Sequence, residues 1–403
     1  MTTAAAAPSI SSLIKQALPD LTTIRHDLHT HPELGFEEKR TSALVQRELT
    51  ALGIPFKAGY AKGTGVVAHL APTNPGDANK PAVALRADMD ALPIEEETGK
   101  PYASKTRGTM HACGHDGHTT MLLGAARVLA ALPHRPNPVT FIFQPAEEGG
   151  GGGERMCKEG ALAGMKSGGV GSPVGRIFGL HGWPQLPLGV VATRPGPLLA
   201  SVDDFIVEVV GSGTHAAYPH LGKDPIVCAA GVINALQTVV SRSCAPQDSV
   251  VLTVGAINGG TKDNIIPGSV RFIGTIRTLR DETRALARKR FHEIIEHTCH
   301  AHGCTARIEF HESYPVTKND AALAEEFLAL ATRTLGESRV ERVEFPTMGG
   351  EDFAYYGRIV PACFFFLGLR EGAEMPPLHH PKFDFSDAAI PTGVEMLVKA
   401  ATA

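Results

Sequence analysis

Apolar positions recur at helical spacing from Thr22 to Leu52, and Gly53 closes the run, so the pattern predicts one long helix there. Two β-rich runs follow, Gly65–Leu70 and Ala82–Ala87. A helical stretch from Gly117 to Leu132 stops at Pro133. Then come a strand at Val139–Phe143, a glycine-rich turn at 149–153 and a strand at Arg176–Leu180. Strands alternating with helices predict an α/β fold with a largely parallel, mixed sheet flanked by helices. Near residue 200 the order changes. Strand Val202–Val210, helix Pro225–Ser241, strands Val250–Ile257 and Val270–Leu279, helix Glu282–His302 and strand Thr305–His311 spell β-α-β-β-α-β, the split ferredoxin-like unit. After Pro315 the α/β character returns, with helix Asp320–Leu335, strand Ala362–Leu369 and helix Asp387–Ala401. The simplest organisation is one α/β domain of residues 1–198 and 314–403, interrupted by a smaller inserted domain at 199–313.

A chain of 403 residues is more than one core usually serves, which agrees with two domains. With 43% hydrophobic and 20% charged residues it is globular rather than disordered. The net charge of −4 and the absence of a basic run argue against nucleic acid or an anionic membrane as partner. The segment Met1–Pro8 lacks the charged and apolar regions of a secretory leader, and no run approaches about 18 consecutive apolar residues, so no membrane span is expected. The 7 cysteines, at 113, 157, 228, 244, 299, 304 and 363, are odd in number and scattered. That fits a reducing, cytoplasmic setting better than a disulfide framework.

Chemistry concentrates at 111–118, His-Ala-Cys-Gly-His-Asp-Gly-His, where a β-rich region meets a helix. A loop at a helix start can aim several lone pairs at one point, as a metal requires. Cys113 and His115 are two apart, so an extended loop would face both the same way. Other ligands are expected from strand ends, because open α/β sheets build sites at their carboxyl edge. Strand 139–143 runs into Glu147-Glu148, strand 176–180 into His181, and strand 82–87 into Asp88-Met89-Asp90. Neighbouring side chains on extended backbone part to opposite sides, so one of the two glutamates could bind metal while the other faces a water. A metal that acidifies water beside a free carboxylate suits hydrolysis. His379-His380, in a proline-rich loop, could complete a two-metal set, which needs more ligands than one metal does.

Three other patterns carry no such weight. His292 and His297 lie five apart on a helix and diverge around it, unlike helical zinc-protease signatures. Cys299–Cys304 is the end of that helix, with Gly303 as its cap. Gly149–Gly153 lacks the Gly-Lys-Ser/Thr ending of a phosphate loop.

Taken together, these segments resemble the two-metal aminoacylase/carboxypeptidase family, in the branch of hippurate hydrolases, N-acyl-amino-acid amidohydrolases and plant auxin-conjugate hydrolases. The resemblance runs through Arg25–Leu34, Arg86–Pro93, His111–His118, Pro145–Glu148, Gly179–His181, Gly213–His220, Asn264–Pro267, Gly349–Phe353 and Leu378-His379. It implies two divalent metal ions held by Cys113, His115, Glu148, His181 and His379. A metal-bound thiolate favours zinc, with manganese, cobalt or nickel able to serve. It implies Glu147 as general base and Asp90 as the acid orienting the site from behind the ligands. Asp88 stands where other branches carry a His ligand and is left out of the set. The insert would be a lid and dimerisation domain, giving a homodimer or homotetramer. Its His215 would reach an active site, its own or, as often in the family, the partner subunit's, and stabilise the oxyanion, and its Asn264 and Arg277 would hold the substrate carboxylate. The substrate implied is a small N-acyl amino acid, hippurate-like or N-acetylated, with dipeptide cleavage as the alternative. Two unrelated readings compete: Cys113 as a nucleophile activated by His115 or His118, and a metal-loaded protein that binds without cutting. The glycine-rich segment 164–175, richer in glycine than the family leads one to expect, should alter a loop near the site.

Overall fold

The computed structural model describes residues 8–403; the segment read above for a secretory leader lies almost wholly outside the described residues. Two compact units result. One takes the chain up to Leu198 together with Lys318–Glu344 and Asp352–Ala403; the other takes Leu199–Thr317 and Phe345–Glu351. The expected boundaries placed both 314–317 and 345–351 with the first.

The first unit is built on a sheet of eight strands. Their order is Phe56–Tyr60, Gly65–Leu70, Val139–Gln144, Ala82–Asp88, Val174–Pro187, Ala362–Arg370, Val191–Thr193 and Val340–Arg342. The middle four run parallel to one another. The flanking pairs include antiparallel ones, so the sheet is mixed and largely parallel at its centre. The central strands are buried along nearly their whole length, as a sheet covered on both faces requires. Helices Ile10–Thr30, His115–Ala131 and Ile390–Thr402 share the main core with them through Leu21, Leu28, Leu122, Leu129, Val394 and Leu397.

The long helix expected over Thr22–Leu52 is two helices, Ile10–Thr30 and Lys39–Ala51. Pro32 accounts for the break, since it lacks an N–H and disfavours helical backbone at His31. The first helix also starts earlier than expected, capped by Ser9, whose hydroxyl accepts the Ser12 N–H at 3.1 Å. The strand expected to end at Leu180 continues to Pro187, because Gly182 and Trp183 keep pairing with Leu367 and Gly368. The glycine-rich segment is not near the strand ends that carry the chemistry. The Pro173 carbonyl accepts the Ala82 N–H at 2.8 Å, which puts it at the amino end of the central strands.

The second unit holds a four-stranded antiparallel sheet in the order Val250–Gly259, Ser269–Thr278, Ser201–Val210, Thr305–Glu312. Numbered along the chain from Ser201–Val210, that is 2-3-1-4, and with helices Pro225–Thr238 and Asp281–Ala301 it completes the ferredoxin-like pattern. The stretch Pro225–Ser243 is long and apolar enough to pass a length-and-composition test for a membrane span. In the fold it buries Cys228, Val232, Leu236 and Val239 in this unit's core.

A buried charged cluster ties the first helix to the chain's last segment. Arg25, fully buried, donates to Asp384 Oδ1 at 3.0 Å and to the Phe385 carbonyl at 2.6 Å. Beside it the His29 imidazole meets Asp116 at 2.8 Å and Glu96 at 3.3 Å. Burial alone would lower the His29 pKa, but those two hydrogen bonds outweigh it and raise it to about 9. A folded pKa above the ordinary 6.5 gives stability that is complete below pH ~6.5 and lost as pH rises through about 9, at most about 3 kcal/mol. Urea unfolding at pH 6, 7.5 and 9 should show this decline, and His29→Gln should flatten it.

Candidate metal centre

At the carboxyl ends of the parallel strands, a buried guanidinium fixes the floor of the site. Arg86 donates to Gln144 Oε1 at 2.9 Å, Asp88 Oδ2 at 2.7 Å and Asp352 Oδ1 at 2.9 Å. Asp88 Oδ1 in turn meets His118 Nδ1 at 2.7 Å, and His118 Nε2 accepts the Gly182 N–H at 2.8 Å. The Gly182 bond leaves the His118 proton on Nδ1 and occupies its other lone pair. Asp88 and His118 thus spend their polar atoms on the protein, even though with His115 they lie close enough to cage an ion.

The atoms above this floor behave differently. Ligand atoms of Cys113, His115 and His181 lie within 4.8 Å of one another, as do those of Cys113, Glu148 and His379, and those of His115, Glu147 and Glu148. Cys113, His115 and Glu148 each belong to two of these triads, so the three groups overlap in one cluster. His181 Nδ1 donates to the Gly182 carbonyl at 2.8 Å, which turns Nε2 toward Cys113 Sγ, 3.3 Å away. Burial, and the nearby His118, push the His181 pKa well below its ordinary value, so the ring is neutral with a lone pair to give. His115 Nδ1 is held by the Asp90 carbonyl at 2.9 Å and carboxylate at 3.2 Å. Its Nε2 is buried without a hydrogen-bond partner, and so is Glu148 Oε1, 4.0 Å away. His379 Nε2 lies 3.2 Å from that oxygen without completing a hydrogen bond.

Orphaned buried polar atoms are costly, and two facing each other call for a cation between them. The electrostatics agree. Burial opposes charge on His115, yet Asp88, Asp90 and Glu148 raise its pKa to about 10, so the surroundings favour positive charge at that point. Burial, then Glu148, Glu147 and Asp88, push the Cys113 thiol well above its usual range. A bound cation would reverse that and hold a thiolate. The donor set of thiol, imidazoles and carboxylate therefore fits a divalent metal pair.

Local backbone explains the convergence, and it is not the extended backbone the spacing suggested. Gly114, at φ +89°, brings Cys113 and His115 together at the start of helix His115–Ala131. Ala146, at φ +53°, directs Glu147 and Glu148 toward the same place instead of apart. His379 has φ +64° and is pinned by its N–H to the Ala112 carbonyl at 2.8 Å, with its side chain 51% exposed.

Several contributors escaped the sequence reading. Fully buried Glu38 accepts the Ala146 N–H and the Thr64 hydroxyl, each at 2.8 Å, and so clamps the left-handed turn. Asp352 receives Gln144, Arg86 and the Gly153 N–H on its carboxylate, while its own N–H reaches Glu147 Oε1 at 3.4 Å. Asp352 sits in the Gly349–Phe353 segment, and Glu38 follows Arg25–Leu34 closely; those stretches were the available signal. Asp90 does more than orient His115, since its Oδ2 also accepts the Glu148 N–H at 2.9 Å.

In the second unit, His215 and Asn264 are neighbours. His215 pairs with Ile265 in a short ladder, and the Asn264 carbonyl accepts the Ala216 N–H at 3.0 Å. His215 Nδ1 accepts the Ala217 N–H at 3.1 Å, which leaves the proton on an exposed Nε2. Arg277 is not with them. It lies near the far end of Ser269–Thr278, and at roughly 3.4 Å per residue that strand puts about 27 Å between Arg277 and the end nearest the ladder. One unit's Asn264 and Arg277 therefore do not grip a single carboxylate, contrary to the expectation.

The family model described as peptidase family M20/M25/M40 matches residues 84–403. The chain belongs to that family. As a member of a peptidase family, the chain is an enzyme that acts on amides. The chain is 41% identical over 384 residues to an N-acetyl-L-cysteine deacetylase of Bacillus subtilis, covering 95% of this chain and 86% of that one. It is 40% identical to the IAA-amino acid hydrolase ILR1-like 4 of Arabidopsis thaliana, covering 94% and 84%. Among solved structures, a dinuclear metal-binding peptidase of the M20 family from Bacillus subtilis superposes with a TM-score of 0.81 at 32% identity, covering 96% and 98%.

Glu38→Ala would strand a buried N–H and a hydroxyl, and it should cost about 2–3 kcal/mol, read as a lower urea midpoint. Glu38→Gln keeps an acceptor and should lose less than half as much.

Proposed function

We propose that this M20-family enzyme hydrolyses the amide bond of N-acyl amino acids, using two divalent ions held by Cys113, His115, Glu148, His181 and His379. The observation that carries the reading is the pair of orphaned atoms, His115 Nε2 and Glu148 Oε1, converging with neutral His181 beside Glu147. Bound ions would supply Lewis acidity, making a water more acidic and a carbonyl more electrophilic.

The chain's own groups do the rest. Glu147 takes the proton of the attacking water and returns it to the leaving amine nitrogen. Asp352 and the Ala146 turn hold its carboxylate in place, and Asp90 holds the His115 ring. His215, a donor through Nε2, stabilises the oxyanion. We assign zinc as the first choice because of the thiolate, with manganese, cobalt and nickel as alternatives. Free cysteines at all the described positions suit a cytoplasmic site of action. A thiol mechanism is disfavoured, because Cys113 is buried among carboxylates that oppose a thiolate unless a cation is present. Dipeptide cleavage is the second reading; the family's description as peptidases favours it, and the chemistry is the same.

We further propose a homodimer through the insert, in which His215 and Asn264 serve one substrate molecule and Arg277 another. The separation of Arg277 from the His215 ladder within one unit supports this. So do the exposed apolar side chains Val227 (55%) and Ile257 (51%), and the edge strand Val250–Gly259, which has a partner on one side only among the described residues. Val227→Asp with Ile257→Asp should shift sedimentation from dimer to monomer at micromolar concentration.

Chelated protein should fail to release glycine from N-benzoylglycine and should recover with added zinc or manganese. Glu147→Gln should lower kcat by roughly a thousandfold while retaining metal. Full turnover after chelation would overturn the metal reading and bring the Cys113 nucleophile forward.

A further inference from the structure

On the strand Val174–Pro187, side chains two apart share a face of the sheet. His181 faces the candidate ligands, and Trp183 follows it on the same side. The two rings meet edge to face, centroids 6.0 Å apart at 78°. Phe366, the register partner of His181 on the neighbouring parallel strand, stacks on the indole at 4.2 Å and 27°. Phe366 is almost fully buried, whereas Trp183 keeps part of its surface open. The indole is thus fixed by Phe366 on one face and bounded by His181 at an edge, with part of its surface left open. A tryptophan of purely structural value on this strand would be expected to join the main hydrophobic core. This one packs instead against a metal-ligand imidazole.

Resting on the amidohydrolase reading above, we propose that the open surface of Trp183 receives a flat aromatic substituent flanking the scissile amide, making Trp183 a specificity-determining residue. A rigid aromatic surface rewards offset stacking by another ring, and gives little to a methyl group or hydrogen. The chemistry permits the ring to come from either side of the amide, from an aroyl group or from an aromatic amino-acid side chain. The test separates the two.

The chain contains 1 tryptophan, so its fluorescence reports on this position alone. Zinc-loaded Glu147→Gln would be titrated with N-benzoylglycine, N-acetylphenylalanine and N-acetylglycine. A saturable change in Trp183 emission with one aromatic ligand, and none with N-acetylglycine at equal concentration, is expected, and the responding ligand names the side. In the otherwise wild-type enzyme, Trp183→Ala should lower kcat/KM for the matching aromatic substrate by about tenfold and leave N-acetylglycine within about twofold, with Trp183→Phe recovering most of the loss. Equal losses on all substrates, or no selective emission change, would overturn the proposal and leave Trp183 a packing residue. If the wild-type enzyme hydrolyses none of the three, the amidohydrolase reading fails instead, and the emission titration still decides the role of Trp183.

Discussion

A guanidinium with no access to water governs the first unit. Arg86 carries a charge that would cost several kcal/mol to bury alone, so Asp88, Gln144 and Asp352 have to be in place beside it whenever the chain is folded. They come from three separate parts of the chain: its own strand, the strand Val139–Gln144 and the segment that opens at Asp352. Parallel register sets Asp88 opposite Gln144, which brings those partners within reach of one side chain. His118 then hangs from Asp88, and the Glu147 carboxylate is steadied from Asp352. The hydrolytic groups are thus placed by a polar bolt beneath them rather than by their own mutual attraction, which among so many acids would be repulsion.

Above that bolt, the polypeptide takes up backbone conformations that L side chains rarely adopt. Gly114, Ala146 and His379 all adopt positive φ, and two of the three pay the steric cost of a side chain. Each stands at or beside a candidate ligand. The cost is met by neighbours that leave no other option. Glu38 takes the Ala146 N–H, and a Cβ on Gly152 would come within 1.7 Å of the Pro145 carbonyl oxygen, so only glycine allows that return of the chain. Strain of this kind is what keeps adjacent carboxylates on one side.

That pattern explains what could be read from sequence. The alternation of strands and helices, and the βαββαβ insert, follow from periodicity that each segment carries within itself, and they were legible. The dense run His111–His118 was legible as chemistry for the same reason. The convergence of Glu147 and Glu148 was not, because period-two logic assumes extended backbone and Ala146 is left-handed. Pro32 signalled the helix break, but the apolar spacing across it was read as continuous. Glu38 and Asp352 act through partners far away in the chain, and Arg86 needs Gln144 and Asp352 besides its near neighbour Asp88, so no single window of sequence shows these roles. The glycine-rich stretch shows the reverse error: unusual composition suggested a loop near the site, and it sits at the amino end of the central strands.

The first unit is discontinuous, and its candidate ligands divide accordingly. Cys113, His115, Glu148 and His181 precede the insert, while His379 follows it. During synthesis the first four emerge before the insert, and the fifth can join them only after the insert has been made and the last strand, Ala362–Arg370, has docked beside Val174–Pro187. If these residues hold the ions as proposed, a nascent chain would pass through a stage with an open, partly formed cation site. Metal captured then would be exchangeable, and the loop bearing His379 would close over it only as the enzyme matures.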